Sequence, residues 1–217
     1  MIPGSTLFLR RGLAGLAALT VAGLGLAGCA LLSTPDPVQL YRFGPLDSAF
    51  GGERSPATVQ VALRRIEFPD AVSGERILAI TGNEAAYIGG ARWVSDAEDL
   101  YNQSLETAFG GSASGLRLIG GRELTRADVS LDVDVTTFET RYASAGAVPR
   151  VVISARARLL SMPGRDVVSE QVFSVSQPAD ENRISAIVAA YDAATQDLNQ
   201  QIVAWTVANA GRAAPAR

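Results

Sequence analysis

Two aspartates pose the first chemical question. Asp132 and Asp134 stand two apart in a run, 129–135, that alternates apolar and polar residues. On a strand, such residues point to the same side at about 6.5–7 Å, a spacing compatible with an acid/base pair or a metal site. The helpers that such chemistry recruits are missing. The chain has no histidine, and all 19 of its basic residues are arginine. That removes Ser-His-Asp and Cys-His machinery, imidazole metal ligands, Schiff-base lysines and a Walker-type phosphate loop. One cysteine in 217 residues allows neither an internal disulfide nor a thiolate zinc cluster. With 22 acidic residues and a net charge of −3, there is no basic field for nucleic acid. A carboxylate enzyme, a binding module or an assembly protein stays open.

A second alternating run, 150–160, sets Val151, Ile153, Ala155, Ala157 and Leu159 against Ser154, Arg156 and Arg158. A hairpin centred on Ala145 would place Asp134 opposite Arg156 and Asp132 opposite Arg158. It would also match Leu131 with Leu159, Val133 with Ala157, and Phe138 with Val152. Opposite charges across an antiparallel pair contribute about 0.2–1 kcal/mol each, and the apolar match fixes the register. A slip by two residues is the alternative register. A solvated charge ladder is thus the expected arrangement, ahead of a carboxylate site.

Cys29 carries the other chemistry. Residues 1–11 hold two charges, Arg10 and Arg11, and 12–28 hold none. A positive start followed by a short, glycine-rich apolar run is the pattern of a secretory signal, shorter than the roughly 20 apolar residues a spanning helix needs. The run ends Leu26-Ala27-Gly28-Cys29, a lipobox-like tetrapeptide in which the thiol takes lipid and the Gly28–Cys29 bond is cut. Arg10-Arg11 admits a twin-arginine export signal, though the flanking residues fit the general secretory route better. Three acyl chains, of palmitate type, would anchor Cys29 stably where one binds only marginally. Removing 1–28 leaves 17 arginines against 22 acids, a net charge of −5.

Positioning falls to one domain, since 189 residues are ample for one core and marginal for two. The expected parts are a signal peptide at 1–28, a lipidated tether at 29–37, a single domain at 38–210 and a disordered tail at 211–217. Strands are expected at 38–43, 58–68, 77–80, 85–88, 116–119, 128–140, 150–160 and 167–176, with a Gly82-Asn83 turn between the third and fourth. Ser95 and Glu98 fit a capping box that opens a helix closed by Gly110-Gly111. Asp180 would cap a long helix over 181–209, with Ile184, Ile187, Val188, Tyr191, Leu198, Ile202 and Trp205 along one stripe. The pattern indicates an α/β, three-layer sandwich with a mixed β-sheet, two main helices and a long C-terminal helix.

Other features carry less. Of the glycine pairs, Gly110-Gly111 follows a helix instead of preceding one, and Gly89-Gly90 comes five residues before a helix with Trp93 between, so neither reads as a phosphate loop. Trp93 and Trp205 are either core plugs or surfaces offered to a partner or an acyl chain.

The order of these features is itself informative. The lipobox leads to Tyr41-Arg42-Phe43-Gly44-Pro45, then a strand at 59–66, Tyr87, Arg92-Trp93-Val94-Ser95 and a leucine-spaced helix. This order resembles the ABC-type transport auxiliary lipoproteins, the PqiC-type components associated with MCE-domain lipid transport systems. In that family a Tyr-x-Leu-x-Pro strand comes first, and an Arg-Trp-Ala-Glu-like turn opens the first long helix. Here Val94 and Ser95 stand where Ala and Glu are common. The resemblance spans nearly the whole chain after the signal. It implies a non-catalytic lipoprotein on the periplasmic face of the outer membrane, with a three-layer α/β fold and no cofactor beyond the covalent lipid on Cys29. It also implies an MCE-domain protein with its ABC permease and ATPase as partners, and a homo-oligomer. Competing expectations are a general outer-membrane lipoprotein of envelope assembly or integrity and, last, a carboxylate-dependent hydrolase.

Overall fold

A computed structural model describes residues 37–45, 59–64, 66–111, 115–119 and 126–213. All but Pro37 belong to one compact unit, Val38–Arg217. The fold is mixed α/β with a mixed sheet and a long C-terminal helix, as the residue pattern indicates.

Three long strands run as an antiparallel meander: β7 (Val129–Tyr142), β8 (Arg150–Ser161) and β9 (Val167–Pro178). The other side of β7 takes two parallel neighbours. β2 (Val59–Leu63) lies along its beginning and β3 (Leu78–Thr81) along its end. Beyond β2 lies β6 (Leu116–Ile119), parallel, and beyond β3 lies β4 (Glu84–Tyr87), antiparallel. The β3–β4 turn is Gly82-Asn83, with Gly82 at φ +58°. A separate parallel pair joins β1 (Gln39–Tyr41) to β5 (Ala91–Trp93). Strand β5 alternates as Ala-Arg-Trp, but three residues are too few for that pattern to announce a strand.

Three helices complete the described chain: α1 (Asp70–Ser73), α2 (Ala97–Gly110) and α3 (Ile184–Ala213). Helix α3 packs across β8 and β9, and α2 packs on α3 and β6. The apolar stripe of α3, including Ile187, Tyr191, Ala194, Leu198 and Ile202, is buried against Leu131 and Val133 of β7 and Ile153, Ala155, Ala157 and Leu159 of β8. Two alanines on β8 let a 30-residue helix lie close to the sheet. Truncating Leu198 to Ala would cost about 2–5 kcal/mol, the range for a buried leucine in a close-packed core.

Several boundaries differ from the sequence expectation, each for a physical reason. The long strand expected at 58–68 ends at Leu63, yet its continuation still follows β7, with the Arg64 N–H donating to the Leu131 carbonyl and the Glu67 N–H to that of Val133. Helix α2 has Asp96, not Ser95, at its N-cap and makes no side-chain cap bond. Instead, the Ala97 N–H donates to the Gly74 carbonyl at 3.2 Å, so a distant segment meets an orphan donor. Helix α3 starts at Ile184, three residues after the expected 181, because Asn182 is held outside it. Its Oδ1 accepts from the Tyr142 hydroxyl and its Nδ2 donates to the Gly146 carbonyl. The helix then continues to Ala213, into the stretch expected to be unstructured from 211.

The hairpin register contains one further departure. Up to Val135 the pairing is the expected one, with Leu131 opposite Leu159 and Val133 opposite Ala157. Between Val135 and Thr137 a bulge inserts one residue, so Phe138 faces Ile153 instead of Val152. The bulge also reverses parity. Core-facing residues are 131, 133 and 135 before it, and Phe138 and Thr140 after it.

Candidate functional site

The Asp132/Asp134 pair lies on the sheet face away from α3, in the expected cross-strand register: Asp132 opposite Arg158, Asp134 opposite Arg156. The ion pairs run diagonally. Arg158 Nη2 donates to Asp134 Oδ2 at 3.0 Å, and Arg64 Nε approaches Asp132 Oδ1 at 3.5 Å. The second contact is within ion-pair range but is not a hydrogen bond, and Asp132 Oδ1 has no hydrogen-bond partner. All four side chains are partly exposed, so each pair contributes at most about 1 kcal/mol. Each carboxylate has its own arginine, an arrangement that holds charge in place and provides no shared proton.

Both tryptophans are core residues. Trp93 is 1% exposed and Trp205 9%. Trp93 meets Phe43 edge-on at 5.0 Å and Tyr191 at 5.1 Å, while Phe138 lies 4.8 Å from Tyr191 and 5.3 Å from Phe43. The bulge in β7 is therefore what brings Phe138 into this cluster. At the other end of α3, Trp205 packs on Phe173 of β9 at 5.9 Å. Two buried tyrosines behave differently. The Tyr191 hydroxyl accepts from Thr140 Oγ1 at 3.2 Å, whereas the Tyr101 hydroxyl has no partner. Burial raises the pKa of both; for Tyr191 the Thr140 bond pulls the other way.

Residues 41–45 lock the N-terminal strand to the helices. The Gly44 N–H donates to Asp192 Oδ1 of α3 at 2.8 Å, and Gln196 Nε2 donates to Asp192 Oδ2 at 2.9 Å. Gly44 has φ +83°, and a Cβ there would stand 3.1 Å from Ser104 Cβ of α2. The Gly44-Pro45 pair was the one sequence signal for this contact, and it gave no hint of the partner.

Beside Pro45, the groove between α2 and α3 forms an open pocket of about 750 Å³. Ala108, Val203, Ala204 and Val207 form its apolar part, with Ser104 and Asn199 bonded to each other at 3.0 Å. Among the described residues none that lines it is charged, so that lining suits a neutral apolar group. Helical spacing on each element separately could not place these residues together.

Gly28 and Cys29 lie outside the described residues. Among the described residues no cluster of His, Cys, Asp or Glu could hold a metal ion, and no helix is long and apolar enough to cross a membrane.

The architecture is shared with solved proteins. A crystal structure of a Xanthomonas campestris protein of the DUF330 family is 24% identical, with a TM-score of 0.66 over 80% of this chain and 98% of that one. A second solved structure, of an uncharacterized protein, is 17% identical with a TM-score of 0.61 over 78% and 98%. Both show the fold. No curated protein matches the chain. Residues 45–203 match the ABC-type transport auxiliary lipoprotein component, and the chain belongs to that family. Membership makes it an auxiliary lipoprotein of the cell envelope that is associated with a transport system.

Proposed function

We propose that this protein is a non-catalytic accessory of an ABC/MCE-type system that moves phospholipids or other apolar molecules between membranes. The family match over 45–203 carries the reading. The pairing of Asp132 and Asp134 with arginines, which leaves the best carboxylate candidates committed to ion pairs, supports it. In this reading the lipids on Cys29 hold the domain at the periplasmic face of the outer membrane. The folded domain docks the end of an MCE-domain assembly served by an ABC permease and ATPase. A homo-oligomer would raise avidity at that end through effective concentration.

The test is gentle detergent extraction of the tagged, lipidated protein, followed by mass spectrometry of what co-purifies. Recovery of an MCE-domain protein with its permease and ATPase is the expected result. A protein that emerges alone, with no partner and no bound lipid, overturns the reading.

A further inference from the structure

The parallel pair β1–β5 presents one face to the core and one to solvent. Ala91 and Trp93 point inward and are buried. Alternation then puts Val38, Leu40 and Arg42 on the outer face of one strand, and Arg92 and Val94 on that of the other. Leu40 stands directly opposite Arg92. Backbone pairing extends past both strand ends, with the Gln39 N–H donating to Gly90 O at 2.8 Å and the Val94 N–H to Tyr41 O at 2.7 Å, so the face is one continuous surface. Its apolar members are well exposed: Leu40 60%, Val94 51% and Val38 47%. Arg42 and Arg92 are exposed between them; Arg42 Nη2 donates to the Pro45 carbonyl at 3.2 Å and Arg92 lies 3.8 Å from Glu75.

We infer that this outer face rests on the lipid bilayer that holds the Cys29 anchor. The inference rests on the anchoring part of the proposed function. Eight residues separate Cys29 from Val38, so Val38 lies at most about 32 Å from the anchored residue. Aliphatic side chains interleaved with arginines suit a membrane boundary: the aliphatics enter the acyl edge while the guanidinium groups bond lipid phosphates. The same charges disfavour a second copy, since self-docking would bring Arg42 and Arg92 against their own counterparts. Val167, Val168 and Val172 on β9 are exposed as well, but Val172 stands opposite Arg156 on a strand remote in sequence from the anchor, and it serves as the control position.

Cys29 is the chain's one cysteine, and acylation consumes its thiol, so an introduced cysteine labels cleanly in the full lipidated protein. The variants L40C, V94C and V172C would each carry an environment-sensitive fluorophore in phosphatidylethanolamine/phosphatidylglycerol vesicles with or without a nitroxide-bearing lipid. A label lying about 5–10 Å into the boundary should lose about half or more of its emission at positions 40 and 94, and little at 172. Hydrogen exchange of the unlabelled protein on vesicles should show added protection at 38–42 and 92–95 relative to detergent. Vesicle-bound protein with unquenched labels at 40 and 94, stronger quenching at 172, or shielding of 40 and 94 in detergent without lipid overturns the inference while leaving the anchor intact. Protein that fails to float with the vesicles overturns the anchor itself, and this inference with it.

Discussion

Gly44 donates its backbone N–H to the Asp192 carboxylate at 2.8 Å, a contact between residues 148 apart in sequence. It ties the loop after β1 to the first third of α3, where Gly44 adopts a left-handed backbone close against Ser104.

Replacing Gly44 by Ala therefore combines a disfavoured backbone with a tight contact. A loss of about 1–3 kcal/mol is expected. For a domain of this size that lowers the melting temperature by about 2–4 °C per kcal/mol, which thermal unfolding of the mature protein would read. Asp192→Ala should lose about 1.5–3 kcal/mol by removing a charged acceptor. The two changes together should cost less than their sum. Near-native stability of Asp192→Ala would show the contact to be unimportant.

The charge ladder predicts weak effects. Asp132→Asn and Asp134→Asn should each change stability by less than about 1 kcal/mol, and by less still at high salt. Urea denaturation at two ionic strengths would measure both. A loss several times larger would mean that these carboxylates do more than pair with Arg64 and Arg158.

The two buried tyrosines should separate cleanly. Tyr101→Phe removes a buried hydroxyl without a partner and should be neutral or stabilising at neutral pH. Tyr191→Phe removes the acceptor of Thr140 and should cost about 1 kcal/mol. Equal effects from the two substitutions would contradict the hydrogen-bond assignment.

Alkaline stability follows from the same pair. Both hydroxyls have folded-state pKa values raised above the ordinary 10.0. Below that value neither state ionises and the stabilisation is complete. Above it the unfolded chain releases protons that the folded chain keeps, so stability falls as pH rises. Denaturation midpoints measured from about pH 9 to about pH 11 should drop for the native protein. They should drop less for Tyr101→Phe, and an identical slope in the variant would refute the assignment.

Cys29→Ser tests the anchor. The variant should leave the membrane fraction and lack mass-spectrometric signals of acylated peptide. Retention of the variant on membranes would assign attachment to another part of the chain.

Much of the architecture is local in origin and legible from the residues alone. Alternation over 129–135 and 150–160 determines which side chains enter the core, and complementary charge sets Asp132 opposite Arg158. The stripe on α3 likewise marked its buried face, and the order of short motifs pointed to the family. Tertiary structure decided the rest. The bulge after Val135 turns Phe138 inward because the aromatic cluster of Phe43, Trp93 and Tyr191 accepts its ring, an outcome not encoded in neighbouring residues. Asn182 delays α3 because Tyr142 and Gly146, some forty residues earlier, take its side chain. Strand β5 forms because β1 lies beside it, and the Gly44–Asp192 bond exists only once α3 has docked. Periodicity reports which face of an element is apolar. Which elements meet depends on long-range packing, and that is settled only when the chain closes on itself.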